Sequence, residues 1–538
     1  MRMLAVLLLS PLLSVLAAQA APVLGPPVLI GNAANATDTL PRVAYDYDTD
    51  RYCVVWNANN GTAPAEIHAQ ILNGSGTPIG AVVVVSTSAL LSCRPSIANI
   101  RTTGKFLVGW SESTGFGPTF TLQVKARSLD AGTAALSTSV LVGSFTTSPG
   151  DPATSITLDI GGDLRNGLFG AAQEALVVWR EGRALSANIR SRAVQVPSTG
   201  APVPGVTSLL SVGVGTASPQ VTRHCGANGR WGVVWPRGGG LFMSQPNLVV
   251  SIVDAFGPCA THTLATMTSS VQTPSCATAD GVHFAAAWST AGDVHVLPFS
   301  LTGGCPGVLT TGSIVMPFTM PGQLFEPTID FVDTKYAVAC SHRTSGTATI
   351  YRVLVKNLDP ETCSSCGIEW FAETSGASQA TPAVCAKRSG SSSADDRAMV
   401  VWSNGTIRGR HFEASTSSLP VNLGGSCGTV GFDDYATYDG HCVLGNDTFS
   451  ISLFSPTSPI LALVVGFSAV PQQCGPCTLI PSIDAILPGI SPMVIPIPCQ
   501  PSLIGGELYT QWLQQRPSGC PNFPDWGVSN ALKFTIAE

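Results

Sequence analysis

The chain has 538 residues, of which 11% are charged, and Gly and Pro contribute 55 and 40 residues. Its formal net charge of −6 argues against nucleic-acid binding, which requires a basic face. The hydrophobic fraction of 44% is too high for a disordered chain. Together with the Gly and Pro content, it favours a fold of short, turn-rich β-strands.

The first twenty residues have the three parts of a secretory signal peptide. Arg2 supplies a positive charge, Leu4–Leu16 form an apolar stretch, and residues 18–20 read Ala-Gln-Ala, a cleavage site of the A-x-A type. We therefore expect a mature chain that begins at residue 21 and is secreted, extracellular or bound to the cell envelope. An uncleaved membrane anchor is the less favoured alternative, because the apolar stretch is shorter than the ~20 residues that span a bilayer. We expect no transmembrane segment in the mature chain.

One short strand then recurs at intervals of about 50 to 70 residues, a period typical of repeated units that stack into a ring. The copies are Arg51–Trp56, Lys105–Trp110, Glu174–Trp179, Arg230–Trp235, His283–Trp288, Lys335–Cys340 and Arg397–Trp402. They predict an all-β, seven-bladed β-propeller. An eight-bladed ring and a pair of smaller propellers are the alternatives.

The first unit indicates how one blade is built. Its strands, separated by turns, are predicted at Pro41–Tyr45, Arg51–Trp56, Glu66–Leu72 and Gly80–Ser86. Four strands with three turns form one antiparallel sheet. Before this unit, Pro27–Ile30 resembles a strand without a sheet of its own. We expect it to pair near Thr406–Phe412 and close the ring, which would remove two exposed sheet edges.

The last residue of each copy is a candidate structural residue. An aromatic side chain that recurs once per repeat is typical of packing between neighbouring blades. The residues are Trp56, Trp110, Trp179, Trp235, Trp288, Cys340 and Trp402. Cys340 interrupts the pattern, so either the sixth blade packs differently or this cysteine is bonded to another one.

The repeat Pro-x-Val-Ala-Tyr-Asp followed by Arg-Tyr-x-Val-Val-Trp, at residues 41–46 and 51–56, resembles repeats of large secreted bacterial propeller proteins of unassigned activity. The tail, with Gly505–Trp512 and Val528–Ile536, resembles a small C-terminal β-domain of many such exported proteins. The resemblance implies an extracellular or envelope location and carries over no catalytic residue. The expected organisation is a signal peptide at 1–20, the propeller at 21–425 and a small β-sandwich domain at 426–538.

Sixteen cysteines in an exported chain indicate an oxidising compartment, and their even number permits complete pairing. Six disulfide candidates lie in the C-terminal region: Cys427, Cys442, Cys474, Cys477, Cys499 and Cys520. The sequence does not assign their pairing. Residues 474–477 match the C-G-P-C of thioredoxin-like enzymes, but Pro481 opposes the helix that would lower the thiol pKa. Structural disulfides are the favoured interpretation.

Other motifs give weaker signals. Asp46, Asp48 and Asp50 alternate like the start of a calcium loop, although Arg51 replaces the glycine that an EF-hand requires. A looser calcium site is the alternative to a solvated turn, and no other cofactor is expected. Residues 424–428 match the G-x-S-x-G of serine hydrolases, but a linker lacks the strand and helix of a nucleophile elbow. Residues 433, 434, 439 and 441 form a polar Asp and His cluster that we expect to be solvated.

These observations favour a monomeric binding or adhesion protein over an enzyme. We expect it to recognise glycans or envelope proteins through propeller loops, because a rigid frame that presents variable loops suits recognition. One alternative is a polysaccharide-acting glycoside hydrolase or lyase with its site in the propeller channel, since paired carboxylates from distant strands escape sequence motifs. The other is a structural cell-surface protein.

Overall fold

The structure is a computed structural model. It describes residues 25–31, 37–59, 64–89, 93–114, 120–146, 157–165, 173–182, 187–212, 218–238, 247–267, 272–303, 307–318, 322–332, 335–344, 351–358, 370–373, 381–387, 397–413, 420–427, 435–439, 442, 444, 449–454, 460–474, 477–498, 500–515 and 525–536. The predicted signal peptide at 1–20 lies outside these residues. Within them, no helix has the length and apolar character needed to cross a membrane.

The strands follow one another in antiparallel groups of four. The first strand of the chain is β1 (Val28–Gly31). The first two groups, joined by a bridge between Ala89 and Glu112, contain β2 (Thr37–Asp46), β3 (Arg51–Asn59), β4 (Ala65–Asn73), β5 (Pro78–Ala89), β6 (Ser96–Ile100), β7 (Lys105–Thr114), β8 (Thr121–Asp130) and β9 (Val140–Thr146). The next two contain β10 (Leu158–Gly161), β11 (Glu174–Glu181), β12 (Asn188–Gln195), β13 (Val203–Ser211), β14 (Gln220–Val221), β15 (Trp231–Arg237), β16 (Asn247–Asp254) and β17 (Gly257–Thr266).

The remaining groups of the ring have the same order. They contain β18 (Gln272–Thr278), β19 (His283–Thr290), β20 (Asp293–Thr302), β21 (Val308–Thr311), β22 (Gln323–Val332), β23 (Lys335–Arg343), β24 (Tyr351–Leu358), β25 (Trp370–Glu373), β26 (Ala383–Lys387), β27 (Arg397–Ser403) and β28 (Ile407–Glu413). The last sheet has the order β1-β28-β27-β26. The first strand of the chain therefore completes the last sheet of the ring.

The second strand of each group is apolar because both of its faces are covered. In β3, Tyr52, Val54 and Trp56 pack with side chains of β26, β27 and β28, whereas Cys53 and Val55 pack with the group that begins at β6. Successive side chains of a strand point to opposite faces. A strand between two neighbouring sheets is thus buried on both sides and loses the alternation of polar and apolar residues.

The first strands of the groups contact one another in a closed circuit, from β2 through β6, β10, β14, β18, β22 and β26 back to β2. The last sheet is completed by β1, which pairs antiparallel with β28, with Val28 opposite Gly409 and Leu29 opposite Arg408. The predicted pairing of the N-terminal strand is confirmed. The all-β class and the propeller architecture are also confirmed, since radially stacked antiparallel sheets in a closed ring define that architecture.

The C-terminal region has its own sheets. Its strands are β29 (Val421–Gly424), β30 (Tyr435–Asp439), β31 (Ser450–Phe454), β32 (Leu461–Gly466), β33 (Ala469–Cys474), β34 (Cys477–Pro481), β35 (Ala485–Gly489), β36 (Met493–Val494), β37 (Glu507–Gln515), β38 (Trp526–Val528) and β39 (Ala531–Thr535). One sheet contains β29, β39, β37, β32, β35 and β38, and another contains β30, β31 and β36. Both contribute to one apolar core, in which Leu453 of the smaller sheet packs with Leu463, Trp512 and Phe534 of the larger one.

Candidate functional site at the mouth of the central channel

A small cavity lies where the first strands of several sheets begin, at the axis of the ring. It is lined by Arg42, Arg94, Gln220, Pro274, Ser275, Glu326, Pro327, Thr328, Thr381 and Pro382. These residues belong to β2, β14, β18 and β22 or directly precede β6 and β26. The cavity volume is about 10 Å³, which is room for about one water molecule. Groups from at least six strand starts therefore converge on one narrow opening.

The backbone at this opening departs from regular strand geometry. Glu326 has a φ of +51°, and the register between β22 and β23 shifts between Phe325 and Thr328. Left-handed backbone at a residue other than glycine costs on the order of 1–3 kcal/mol and is concentrated at functional sites. The bulge that contains this residue is followed by Pro327, which has no N–H to donate to the ladder.

Arg42 is the most deeply buried charge at the opening, with 4% of its surface exposed. Its Nη2 donates to Gln220 Oε1 across 3.4 Å, a weak contact, and its Nε has no hydrogen-bond partner among the described residues. Burial, together with the nearby Arg94 and Arg223, lowers the pKa of Arg42 to about 9. The guanidinium still carries its proton at neutral pH. It is a buried cation without a carboxylate of its own.

Two carboxylates lie near these arginines, and both are already paired. Glu326 Oε1 lies 3.5 Å from Arg94 Nη2, and Asp159 Oδ1 lies 3.8 Å from Arg223 Nη1. Asp159 Oδ1 also accepts a hydrogen bond from Ser96 Oγ at 2.6 Å. The charged groups with the largest effect on Arg42 are the guanidinium groups of Arg94 and Arg223 and these two carboxylates.

Buried polar atoms without partners remain at the opening. Within the described part of the chain, Glu326 Oε2 and Thr328 Oγ1 have no hydrogen-bond partner, as is the case for Arg42 Nε. A buried polar group that is left unsatisfied costs about 1–3 kcal/mol. Native proteins satisfy such groups with ordered water or a bound ligand. Among the described residues, the wall of the cavity therefore combines a deeply buried cation with a donor and two oxygen atoms that have no hydrogen-bond partner.

The three aspartates of the candidate calcium loop do not converge. Each of them has a different partner in the structure, and the side chain of Asp46 is buried whereas that of Asp50 is exposed. Among the residues that the structure describes, no group of three His, Cys, Asp or Glu side chains is placed to hold a metal ion. The partners are Asn99 for Asp46 at 2.7 Å, Arg101 for Asp48 at 3.4 Å and Lys387 for Asp50 at 3.0 Å.

The closing residues of the repeats lie in apolar clusters between neighbouring sheets. Trp402, for example, packs with Ala339 and Val355 of the preceding sheet, and Cys340 occupies the equivalent position beside Ala287 and Val296. All are buried: Trp56, Trp110, Trp179, Trp235, Trp288, Cys340 and Trp402. The placement of Cys340 shows a sixth sheet that packs in the same way as the others, with a smaller side chain.

The cysteines of the C-terminal region do not behave alike. Cys427 and Cys477 form a disulfide, and Cys477 lies in β34, so this half of the C-G-P-C motif has a structural role. Cys442 was expected to form a disulfide, but it is a buried thiol. It lies in the apolar core of this region, where burial raises the pKa of the thiol to about 12. The side chain of Cys474 and the whole of Cys499 and Cys520 lie outside the described residues.

The weaker motifs do not form sites in the described chain. Gly424 ends β29, Gly424 and Gly425 have φ values of +74° and +92°, and Cys427 is held in the disulfide; the last residue of the hydrolase motif, 428, lies outside the described residues. Residues 433, 434 and 441 of the polar cluster lie outside the described residues.

The channel cluster was missed by sequence reasoning. Its members are distant in the chain, and Arg42 and Gln220 are separated by 178 positions. A local signal was nevertheless present, because Arg42, Arg94 and Glu326 each lie next to the proline that begins a unit. A charged residue beside a proline at the start of an innermost strand is placed at the axis of the ring.

No family model matches the chain, and no curated protein matches it. A protein of unknown function from Dyadobacter fermentans matches with 12% identity over 73% of this chain and 98% of its own, at a TM-score of 0.42. An alpha-L-arabinanase from Penicillium chrysogenum, complexed with arabinobiose, matches with 10% identity over 73% of this chain and 99% of its own, at a TM-score of 0.37. The six-bladed fucose-binding lectin of Aleuria aurantia matches with 9% identity over 61% of this chain and 93% of its own, at a TM-score of 0.34. All three TM-scores are below 0.5, so the fold assignment rests on the sheet topology.

Proposed function

We propose that this chain is an exported recognition protein that binds a glycan, with one group of the ligand held at the mouth of the central channel. The observation that carries the proposal is the buried cluster of unpartnered polar groups around Arg42, which lines an open cavity on a rigid ring. Ligand sites in proteins combine a concave surface with a few convergent polar groups.

The proposal includes the organisation of the chain. We propose a signal peptide at residues 1–20, a monomeric seven-bladed propeller at 21–425 and a β-sandwich at 426–538. The closed circuit of contacts from β2 to β26 and back supports the blade number. The apolar core shared by two sheets supports the sandwich.

Binding is favoured over hydrolysis by the size of the opening. A glycosidase needs two carboxyl groups on either side of a sugar ring, about 5–10 Å apart. A cavity of about 10 Å³ has room for about one water molecule and therefore excludes a sugar ring. Both carboxylates near Arg42 are also engaged with other groups, Glu326 with Arg94 and Asp159 with Arg223.

The test is a retention assay with the mature chain, residues 21–538, on a panel of insoluble and immobilised polysaccharides. The supernatant is assayed for released sugar. We expect retention without release, and weaker retention for Arg42→Gln than for the wild type. The matched control is Arg230→Gln, which removes an exposed guanidinium that donates to the carbonyl of Gly303. Release of sugar would establish a hydrolase or lyase, and retention of no polysaccharide would reject the proposal.

A further inference from the structure

We propose that the group held at the channel mouth is a carboxylate, so that the ligand is an acidic glycan that contains uronic or other carboxylated sugars. This inference rests on the proposed binding function and names the chemical class of ligand for the same site.

The first argument is charge. Glu326 is paired with Arg94 and Asp159 with Arg223, so among the described residues no carboxylate is paired with Arg42. In a cluster of charged side chains with a purely structural role, we would expect each buried cation to be paired with an anion, because an uncompensated buried charge is costly. A ligand carboxylate would supply the missing negative charge.

The second argument is geometry. Arg42 lines the cavity, its Nε has no partner among the described residues, and its contact to Gln220 is long. A guanidinium presents a planar fork of donors that matches the two oxygens of a carboxylate. Thr328 Oγ1, also without a partner among the described residues, can donate to the same group. Donors from β2 and β22 would thus meet one anion from two sides of the channel.

The third argument is the shape and rigidity of the walls. Pro274, Pro327 and Pro382 line the cavity beside the charged residues. Prolines offer no N–H group and restrict the backbone, so these walls are apolar and stiff. A narrow and pre-organised opening strengthens an ionic contact with a small group.

The experiment compares ligands that differ in charge and little else. Binding of sodium glucuronate, of its uncharged methyl ester and of sodium chloride to the mature chain is measured by calorimetry at constant ionic strength. We expect glucuronate to bind at least tenfold more tightly than the ester. Equal binding of glucuronate and ester would overturn the inference, as would binding of chloride as tight as that of glucuronate. This comparison uses the unaltered protein, so it does not depend on the folding of a variant.

A second measurement assigns the effect to the site. Arg42→Gln should weaken glucuronate binding at least tenfold, and Arg230→Gln, which removes the same charge from the surface, should leave it unchanged. Retention is then compared on a polyuronate and on a neutral glucan. If the wild type and Arg42→Gln were retained equally well on the neutral glucan, the carboxylate inference would be refuted and the glycan-binding proposal would still hold. If glucuronate bound but no polysaccharide retained the protein, the glycan-binding proposal would be refuted and the anion site would still hold.

Discussion

The seam where β1 completes the last sheet should weaken in mild acid because of His411. This histidine lies in β28, and its ring is 5.5 Å from the ring of Tyr52 in an edge-on contact. Burial, together with the cations Arg397 and Lys387 and against the opposing effect of Asp50, lowers the pKa of His411 to about 4. The imidazole is therefore neutral in the folded protein at pH values at which an unfolded chain would already be protonated.

The direction of the effect follows from proton binding. The unfolded state, with a histidine pKa near 6.5, binds the proton before the folded state does. The free energy of unfolding is unaffected by this group above pH 6.5 and falls as the pH drops from about 6.5 towards 4. With the folded pKa of His411 at about 4, the full loss is about 3 kcal/mol, and the loss at pH 5 is about 2 kcal/mol.

The assay is chemical denaturation at pH 7 and pH 5, followed by tryptophan fluorescence, for the wild type and His411→Gln. Other acid-titrating groups act equally on both proteins and cancel in the difference. We expect the wild type to lose about 2 kcal/mol more than the variant between these pH values. The control is His283→Gln, in which the replaced ring is 62% exposed. An equal pH dependence for the wild type and His411→Gln would refute the reasoning.

Two further predictions concern stability. Trp402→Ala should reduce the free energy of unfolding by about 3–5 kcal/mol, because the indole is fully buried between two sheets. The control is Phe256→Ala, at a side chain that is 99% exposed, which should change the free energy of unfolding by about 0.5 kcal/mol or less. Similar values for the two variants would contradict the packing role of Trp402. Reduction of the Cys427–Cys477 disulfide, which joins residues 50 positions apart, should destabilise the C-terminal region by about 4 kcal/mol through loop entropy. Calorimetry with and without reductant measures the shift, and the part of it that is due to this bond should be absent in a Cys427→Ser, Cys477→Ser double variant.

The propeller could be predicted because its strongest constraint is local. A strand such as β3, buried on both faces, has to be a short continuous apolar run, and the ring repeats that run in each sheet. The pairing of β1 with β28 was predictable for a related reason. A lone strand at one end of a cyclic repeat has a single vacant sheet edge to complete.

The channel site was not predictable in the same way, because it depends on which side chains meet across the axis. Arg42 and Gln220 lie in different sheets and meet only once the ring is closed. The thiol of Cys442 was missed because counting cysteines assumes that all of them reach a partner. Its side chain is instead enclosed by the apolar core of the C-terminal region. Local patterns specify strands, whereas contacts between distant strands depend on the whole topology.

The pairing of β1 with β28 means that the ring can close only after the last unit of the propeller has been synthesised. Arg410 Nε donates to the carbonyl oxygen of Gly25, 385 positions earlier in the chain. At a synthesis rate of about 5–20 residues per second, the first strand waits on the order of 20–80 s for its partner. During that interval the early sheets lack a neighbour on one side and the first strand has no ladder. A chain released before residue 413 would therefore be left with an open ring.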